Sequence, residues 1–148
     1  MGKKKISDKA GVYLTYPALK IFMEYFGYAS EQDFNSCEQI AALGGEINGD
    51  TIIVRQALPL PAAAASAGHV AVPGELWFWA MQVFGKSGAK LVGSAHTHPG
   101  SLNVFMSSSD MEANSLLFPD GVSIIVNPHR QIIGAFNKNG RKIPIILK

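Results

Sequence analysis

The sequence predicts a single α/β (α+β) domain in which one mixed central β-sheet is flanked by helices. Short apolar runs that read as strands alternate along the chain with helical stretches, and turn residues separate them. Of the 148 residues, 47% are hydrophobic and 16% are charged, which is typical of a folded domain with one core. No internal repeat or linker divides the chain. We expect residues 1–11 to be a flexible lead and residues 12–148 to be the domain.

The first third of the chain predicts a helix followed by a hairpin. Residues 15–17, Thr-Tyr-Pro, mark a helix start, because proline is favoured in the first turn. The next strand is centred on residues 40–43 and is expected to end at Gly44 and Gly45. Residues 48–50, Asn-Gly-Asp, predict a hairpin turn whose partner strand covers residues 51–57.

The middle of the chain predicts a surface loop and a second helix. Residues 59–72 are rich in alanine and proline, include His69, and are expected to form a solvated loop that is available to grip a substrate. Residues 73–85 then predict a helix. Its apolar face is expected to pack into the core through four large side chains, Trp77, Phe78, Met81 and Phe84.

The last third predicts a strand, a short helix and three more strands. The apolar run at residues 90–95 is expected to be a strand that leads into a histidine pair, and residues 110–117 a short helix. The closing strands are expected at residues 122–126, 131–136 and 142–147, with turns at 127–128 and 139–140.

The histidine pair predicts half of a metal site. Side chains alternate along a strand, so His96 and His98 point to the same face. Asp110 follows as an available carboxylate ligand. Two histidines and one aspartate leave a fourth position open on zinc, which is typical of catalytic rather than structural zinc. That position holds a water molecule.

Charge and cysteine content exclude several other classes of protein. The net charge is only +2, and the lysines at positions 3–5 have no aromatic residues among them, so we expect no nucleic-acid partner. The single cysteine, Cys37, forms neither an intrachain disulfide nor a cysteine-based zinc cluster. No apolar run reaches the roughly 18 residues of a membrane helix, and we expect no signal peptide at the start of the chain. We expect a cytoplasmic protein without a membrane partner.

The motif residues resemble a known family. His96-x-His98-Pro99, followed by Ser107-x-x-Asp110, resembles the JAMM (MPN+) metalloprotease motif. Residues 38–45, from a glutamate to two glycines, resemble the upstream strand of that family. Residues 123–128 resemble its apolar strand that ends in Asn-Pro. The resemblance covers residues 15–137, and it implies an MPN/JAMM-like fold with a cytidine-deaminase-like architecture.

The resemblance also implies a role for each motif residue. His96, His98 and Asp110 would bind one zinc ion per chain. Glu38 would act as general base and then as general acid. Ser107 would donate a hydrogen bond to the oxyanion of the tetrahedral intermediate.

Other residues compete for two of these roles. Glu46 and Glu75 are rivals of Glu38, but Glu46 lies beside a turn and Glu75 lies in the first turn of a helix, where a carboxylate favours the helix dipole. The loop between Pro99 and Ser107 is one residue longer than is usual in the family. Ser107 keeps the Ser-x-x-Asp spacing, whereas the serines at 108 and 109 are expected to cap the following helix.

The resemblance implies a zinc-dependent hydrolase that cleaves a peptide or isopeptide bond, with a protein or peptide substrate such as the C-terminal tail of a ubiquitin-like protein. Only residues 111–120 separate Asp110 from the next strand, so the chain resembles a minimal, prokaryotic type of the family.

The alternative function is that of an inactive MPN-type scaffold, which would lack part of the ligand set. A zinc deaminase is excluded, because its Cys-x-x-Cys ligands are absent.

Overall fold

A mixed β-sheet of eight strands forms the centre of the protein. The computed structural model describes residues 11–25, 40–60, 64–66, 69–71, 74–97, 116–127 and 132–147. Within these ranges, the helices of ten residues or more are α1 (Tyr16–Tyr25) and α2 (Gly74–Gly85). The strands are β1 (Gly11–Leu14), β2 (Ile40–Asn48), β3 (Thr51–Leu60), β4 (Ala64–Ser66), β5 (His69–Ala71), β6 (Lys90–Thr97), β7 (Val122–Asn127), β8 (Ile132–Phe136), β9 (Lys142–Ile143) and β10 (Ile145–Leu147).

The last segment of the chain contributes a strand to each margin of the sheet. Its strand order is β10-β1-β3-β2-β6-β7-β8-β9, so β9 and β10 lie at opposite margins. Only Pro144 separates these two strands in the sequence. The carbonyl oxygen of Pro144 accepts a hydrogen bond from the backbone N–H of Val12 at 2.9 Å. Proline has no N–H to donate, which suits the point where a strand exchanges one partner for another. The predicted last strand is therefore divided between two neighbours, β8 and β1.

Two apolar clusters lie on the two faces of the sheet. The first contains α1 and strand residues from both halves of the chain: Val12, Leu14, Ala18, Ala41, Leu43, Ile52, Val54, Ala57, Val92, Ala95, Val122, Ile124, Val126 and Ala135. The second lies beneath α2: Ile40, Ala42, Leu60, Trp77, Ala80, Phe84 and Phe118. This arrangement, a mixed sheet with one helix on each face, confirms the predicted fold class.

The start of α1 follows the local signals in the sequence. The helix begins at Tyr16, and the hydroxyl oxygen of Thr15 accepts a hydrogen bond from the backbone N–H of Ala18 at 3.4 Å. This is an N-cap contact, with Pro17 inside the first turn. The short strand β1 before the helix was not predicted. It exists because it pairs in parallel with β3 and with β10, which are distant in the sequence.

The β2–β3 hairpin confirms the predicted turn and corrects the strand lengths. Asn48 pairs with Thr51, and Gly49 between them has a φ of 61°, which suits a two-residue turn. However, β2 does not end at Gly44 and Gly45, and a register shift between them keeps it paired with β3. A Cβ on Gly44 would lie 2.5 Å from the ring of Phe84. Close packing of α2, not the end of a strand, therefore requires glycine here.

The region predicted as a loop contains three strand segments. β3 continues to Leu60, and β4 and β5 form a small antiparallel sheet of their own. Proline at position 59 reads as a strand breaker, but it is paired with Ala41 in the β2–β3 ladder. Pairing with neighbouring strands, and not the local amino-acid composition, determines the secondary structure of this region.

The buried face of α2 differs from the prediction. Trp77 and Phe84 are buried as expected, and Ala80 lies between them on the same stripe. Phe78 and Met81 are instead exposed, at 61% and 43%. Spacings of three and four residues select one side of a helix, and Phe78 is turned by about 100° from Trp77. Within the part of the chain that the structure describes, no helix has the length and apolar character to cross a membrane.

Candidate metal centre

The candidate site begins at the end of the central strand β6. This strand pairs antiparallel with β2 on one side and parallel with β7 on the other. All of its residues from Val92 to Thr97 are buried. His96 is 4% exposed, and its paired neighbours are Ile40 on β2 and Ile125 on β7. The fold thus places a buried imidazole near the end of β6, with an isoleucine paired to it on each side.

Pairing and alternation determine which face of the sheet His96 occupies. Directly paired residues on adjacent strands share a face. Ile40, the partner of His96, belongs to the cluster beneath α2. Ala95, the preceding residue on β6, belongs to the opposite cluster. His96 therefore lies on the α2 face of the sheet.

Three strand ends meet at one edge of the sheet beside His96. The carboxyl ends of β6 and β7 lie together because these strands are parallel. The amino end of β2 lies at the same edge because β2 is antiparallel to β6. The segments that follow His96 and precede Ile40 in the sequence therefore leave and enter the sheet at this edge. They carry His98 and Glu38.

The remaining predicted site residues lie outside the described part of the chain. These residues are Glu38, His98, Ser107 and Asp110. Their assignment as ligands, base and oxyanion donor stays a prediction. Within the described ranges, no group of three or more His, Cys, Asp or Glu side chains is placed to hold a metal ion.

The donor chemistry of His96 fits a zinc ligand. Imidazole nitrogen is a common ligand of zinc, and His96 is buried near the end of a strand. His96 would contribute one of the three predicted ligands, and His98 and Asp110 would contribute the others.

The two rival glutamates occupy other places. Glu46 is on β2 but six residues beyond Ile40, which is about 20 Å along the strand from the His96 edge. Its carboxylate accepts a hydrogen bond from Nε of Arg55 at 2.9 Å and pairs with Nη2 at 2.8 Å. Glu75 is exposed in the first turn of α2. The Glu46–Arg55 ion pair is half-exposed, so Glu46 is in contact with solvent.

Buried polar residues near His96 were not predicted as part of the site. Asn127, at the end of β7, is fully buried, and Ser123 on the same strand is nearly so. The sequence did contain a signal for Asn127, because this polar residue directly follows the apolar run Ile-Ile-Val. Only the pairing of β7 with β6 shows that it lies beside the histidine strand.

The fold of this chain is similar to the folds of two proteins of known structure. No protein-family profile matches the chain, and no curated protein matches its sequence. The solution structure of protein DSY2949 from Desulfitobacterium hafniense is similar, with a TM-score of 0.71 and 24% identity, over 93% of this chain and 92% of that one. The crystal structure of AF2198, a JAB1/MPN domain protein from Archaeoglobus fulgidus, is also similar, with a TM-score of 0.55 and 20% identity, over 91% and 97% of the two chains. The chain therefore has a fold like that of a JAB1/MPN domain protein.

Proposed function

We propose that this protein is a zinc-dependent peptidase or isopeptidase of the JAMM type. The observation that carries the proposal is the pairing of Ile40 with His96 across β2 and β6. Glu38 precedes Ile40 by two residues, and His98 follows His96 by two. Because Ile40 and His96 lie at one edge of the sheet, their pairing supports a common site for Glu38 and His98.

The proposed roles divide binding from proton transfer. His96, His98 and Asp110 would hold zinc, which when bound polarises the scissile carbonyl and acidifies water. Glu38 takes a proton from the attacking water and returns it to the leaving amine. Ser107 donates a hydrogen bond to the carbonyl oxygen as that oxygen becomes negatively charged. The similarity of the fold to that of a JAB1/MPN domain protein supports this proposal through the overall architecture alone.

The substrate that we propose is the C-terminal tail of a ubiquitin-like protein. This follows from the resemblance of the motif, in the order Glu38, His96, His98, Ser107 and Asp110, to JAMM peptidases. We further propose that the segment containing β4 and β5 contacts the tail, since a two-stranded sheet presents backbone groups that an extended chain can pair with.

Metal analysis and a cleavage screen together test this function. Protein purified without added metal is expected to contain one zinc per chain and to cleave at least one fusion of a ubiquitin-like protein to a reporter. A His96→Ala variant is the matched control and is expected to lose both properties. A wild-type protein that takes up no zinc on titration would overturn the proposal and favour the alternative, an MPN-type scaffold.

A further inference from the structure

We propose that the outward face of α2 binds the same face of a second copy of this chain, with the two helices antiparallel. The outward face is defined by five exposed residues, Glu75, Phe78, Trp79, Gln82 and Lys86. None of them belongs to the predicted motif, so the inference does not rest on the proposed function. The partner is a second molecule of this protein because the charges at the two ends of the face complement each other.

The buried and outward faces lie on opposite sides of α2. The buried residues of the helix are Trp77, Ala80 and Phe84. At about 100° per residue, the five residues of the outward face occupy a sector of about 100° on the opposite side. Lys86 directly follows the last residue of α2. Its backbone N–H donates to the carbonyl oxygen of Gln82 at 3.3 Å, so Lys86 continues the helical phase.

The middle of the outward face is apolar although it is in contact with water. Phe78 is 61% exposed and Trp79 is 43% exposed. Residues 76–85 include no charged side chain. The exposed residues of α1, on the other face of the sheet, include Lys20 and Glu24. Helices that are apolar on all sides are normally covered by other protein, which favours a second packing surface for α2.

The charges at the ends of the outward face favour an antiparallel partner of the same sequence. Glu75 lies in the first turn of α2, and Lys86 lies just after its last turn. When two copies meet about a twofold axis near the middle of the helix, Glu75 of each copy faces Lys86 of the other. The aromatic residues then meet at the centre. A parallel arrangement would instead place like charges opposite each other, and it would align the two helix dipoles unfavourably.

The size of the outward face predicts a weak dimer. The 12 residues of α2 span about 18 Å, and a helix with its side chains is about 10 Å across. A contact of this size falls below the roughly 1,200 Å² of total buried area that is typical of stable interfaces, so we expect a dissociation constant on the order of 100 µM. At low micromolar concentration the chain is then a monomer with Phe78 exposed.

Sedimentation equilibrium of the full-length protein, below and above the expected dissociation constant, tests the inference. The wild type is expected to change from monomer to dimer as its concentration rises. Phe78→Ala is expected to weaken the dimer by about tenfold or more. Tyr16→Ala is the matched control, because Tyr16 is 60% exposed on α1, and it should dimerise like the wild type. A wild type that stays monomeric throughout overturns the inference, whether or not it binds lipid vesicles.

Charge reversal tests the antiparallel pairing itself. Glu75→Lys and Lys86→Glu each place like charges opposite each other, so neither variant alone is expected to dimerise. An equal mixture of the two variants is expected to form a heterodimer, because one variant carries two positive charges on the outward face and the other two negative charges.

Glu24→Lys, on the exposed side of α1, is the control for the change in net charge and should dimerise like the wild type. Circular dichroism should show the same fold in every variant, because all the replaced side chains are exposed. Dimerisation of a single charge-reversed variant with wild-type affinity, or the absence of association in the mixture, would overturn the inference.

Discussion

Ile40 of β2 and His96 of β6 are directly paired, and the chain leaves the described sheet just beyond both of them. This pairing relates two segments that are more than fifty residues apart in the sequence. It brings the start of the upstream strand to the end of the histidine strand.

Replacement of Asp110 by Asn should weaken zinc binding. The change removes the only anionic ligand that we propose and keeps the size of the side chain. Zinc affinity measured by chelator competition is expected to fall, while circular dichroism stays unchanged. Asp120→Asn is the matched control, because Asp120 pairs with Lys138 on the surface at 3.1 Å. Equal affinities in the two variants would remove Asp110 from the ligand set.

Replacement of Glu38 by Gln should abolish cleavage while zinc remains bound. Glu38 is proposed to move protons and not to bind metal, so the loss should appear in kcat, by about 10²-fold or more. Glu46→Gln is the control and should keep activity, because Glu46 pairs with Arg55 at the hairpin end of β2. The reverse outcome, with activity lost only in Glu46→Gln, would show that the base is misassigned.

Replacement of Ser107 by Ala should lower kcat by about 10²-fold with little change in zinc content. The reason is the loss of one hydrogen bond to the developing oxyanion. Ala at position 108 or 109 should have a much smaller kinetic effect, with about 1 kcal/mol lost in stability where the serine caps the following helix. Single-turnover kinetics would show the difference. A kinetic loss centred on Ser108 or Ser109 means that the longer loop shifts the register of the motif.

Replacement of Gly44 by Ala should destabilise the fold. The new Cβ would lie 2.5 Å from the ring of Phe84, so α2 must move away from β2. We expect the free energy of unfolding in urea to fall by about 1–3 kcal/mol. Gly85→Ala is the control, because a Cβ there meets nothing within 4 Å. A loss of similar size at Gly85 would argue against the packing explanation.

The two aromatic residues Trp77 and Phe78 should respond very differently to truncation. Trp77 is buried against Phe118, with ring centroids 5.8 Å apart, and Trp77→Ala should cost about 3–5 kcal/mol. Phe78 is mostly exposed, so Phe78→Ala should change stability by less than about 0.5 kcal/mol. Urea unfolding of both variants measures this. Similar losses would place Phe78 in the core.

Much of the fold was predictable because its signals are local. A threonine before Tyr-Pro starts α1, and Asn-Gly-Asp forms the turn between β2 and β3. The bounds of α2 and of β6 were close to those expected from apolar patterning. Asn139-Gly140 forms a turn as well, with a φ of 77° at the glycine. In each case neighbouring residues carry the backbone preference, so no distant partner is needed.

The candidate site was predictable only as a set of residue types. The order of glutamate, two histidines, serine and aspartate indicates a chemistry, but it does not say where the strands that carry them lie. The antiparallel register of β2 with β6 and the parallel register of β6 with β7 supplied that information for His96 and Asn127.

Long-range pairing and packing decided everything that local patterns missed. The strand β1, the division of the last strand at Pro144 and the strand role of Gly44 each depend on a neighbour far away in the sequence. The same is true of the choice of Ala80 over Phe78 as a buried residue of α2. Local sequence patterns indicate backbone preferences and the spacing of apolar residues. Which surface each residue packs against depends on the whole folded chain.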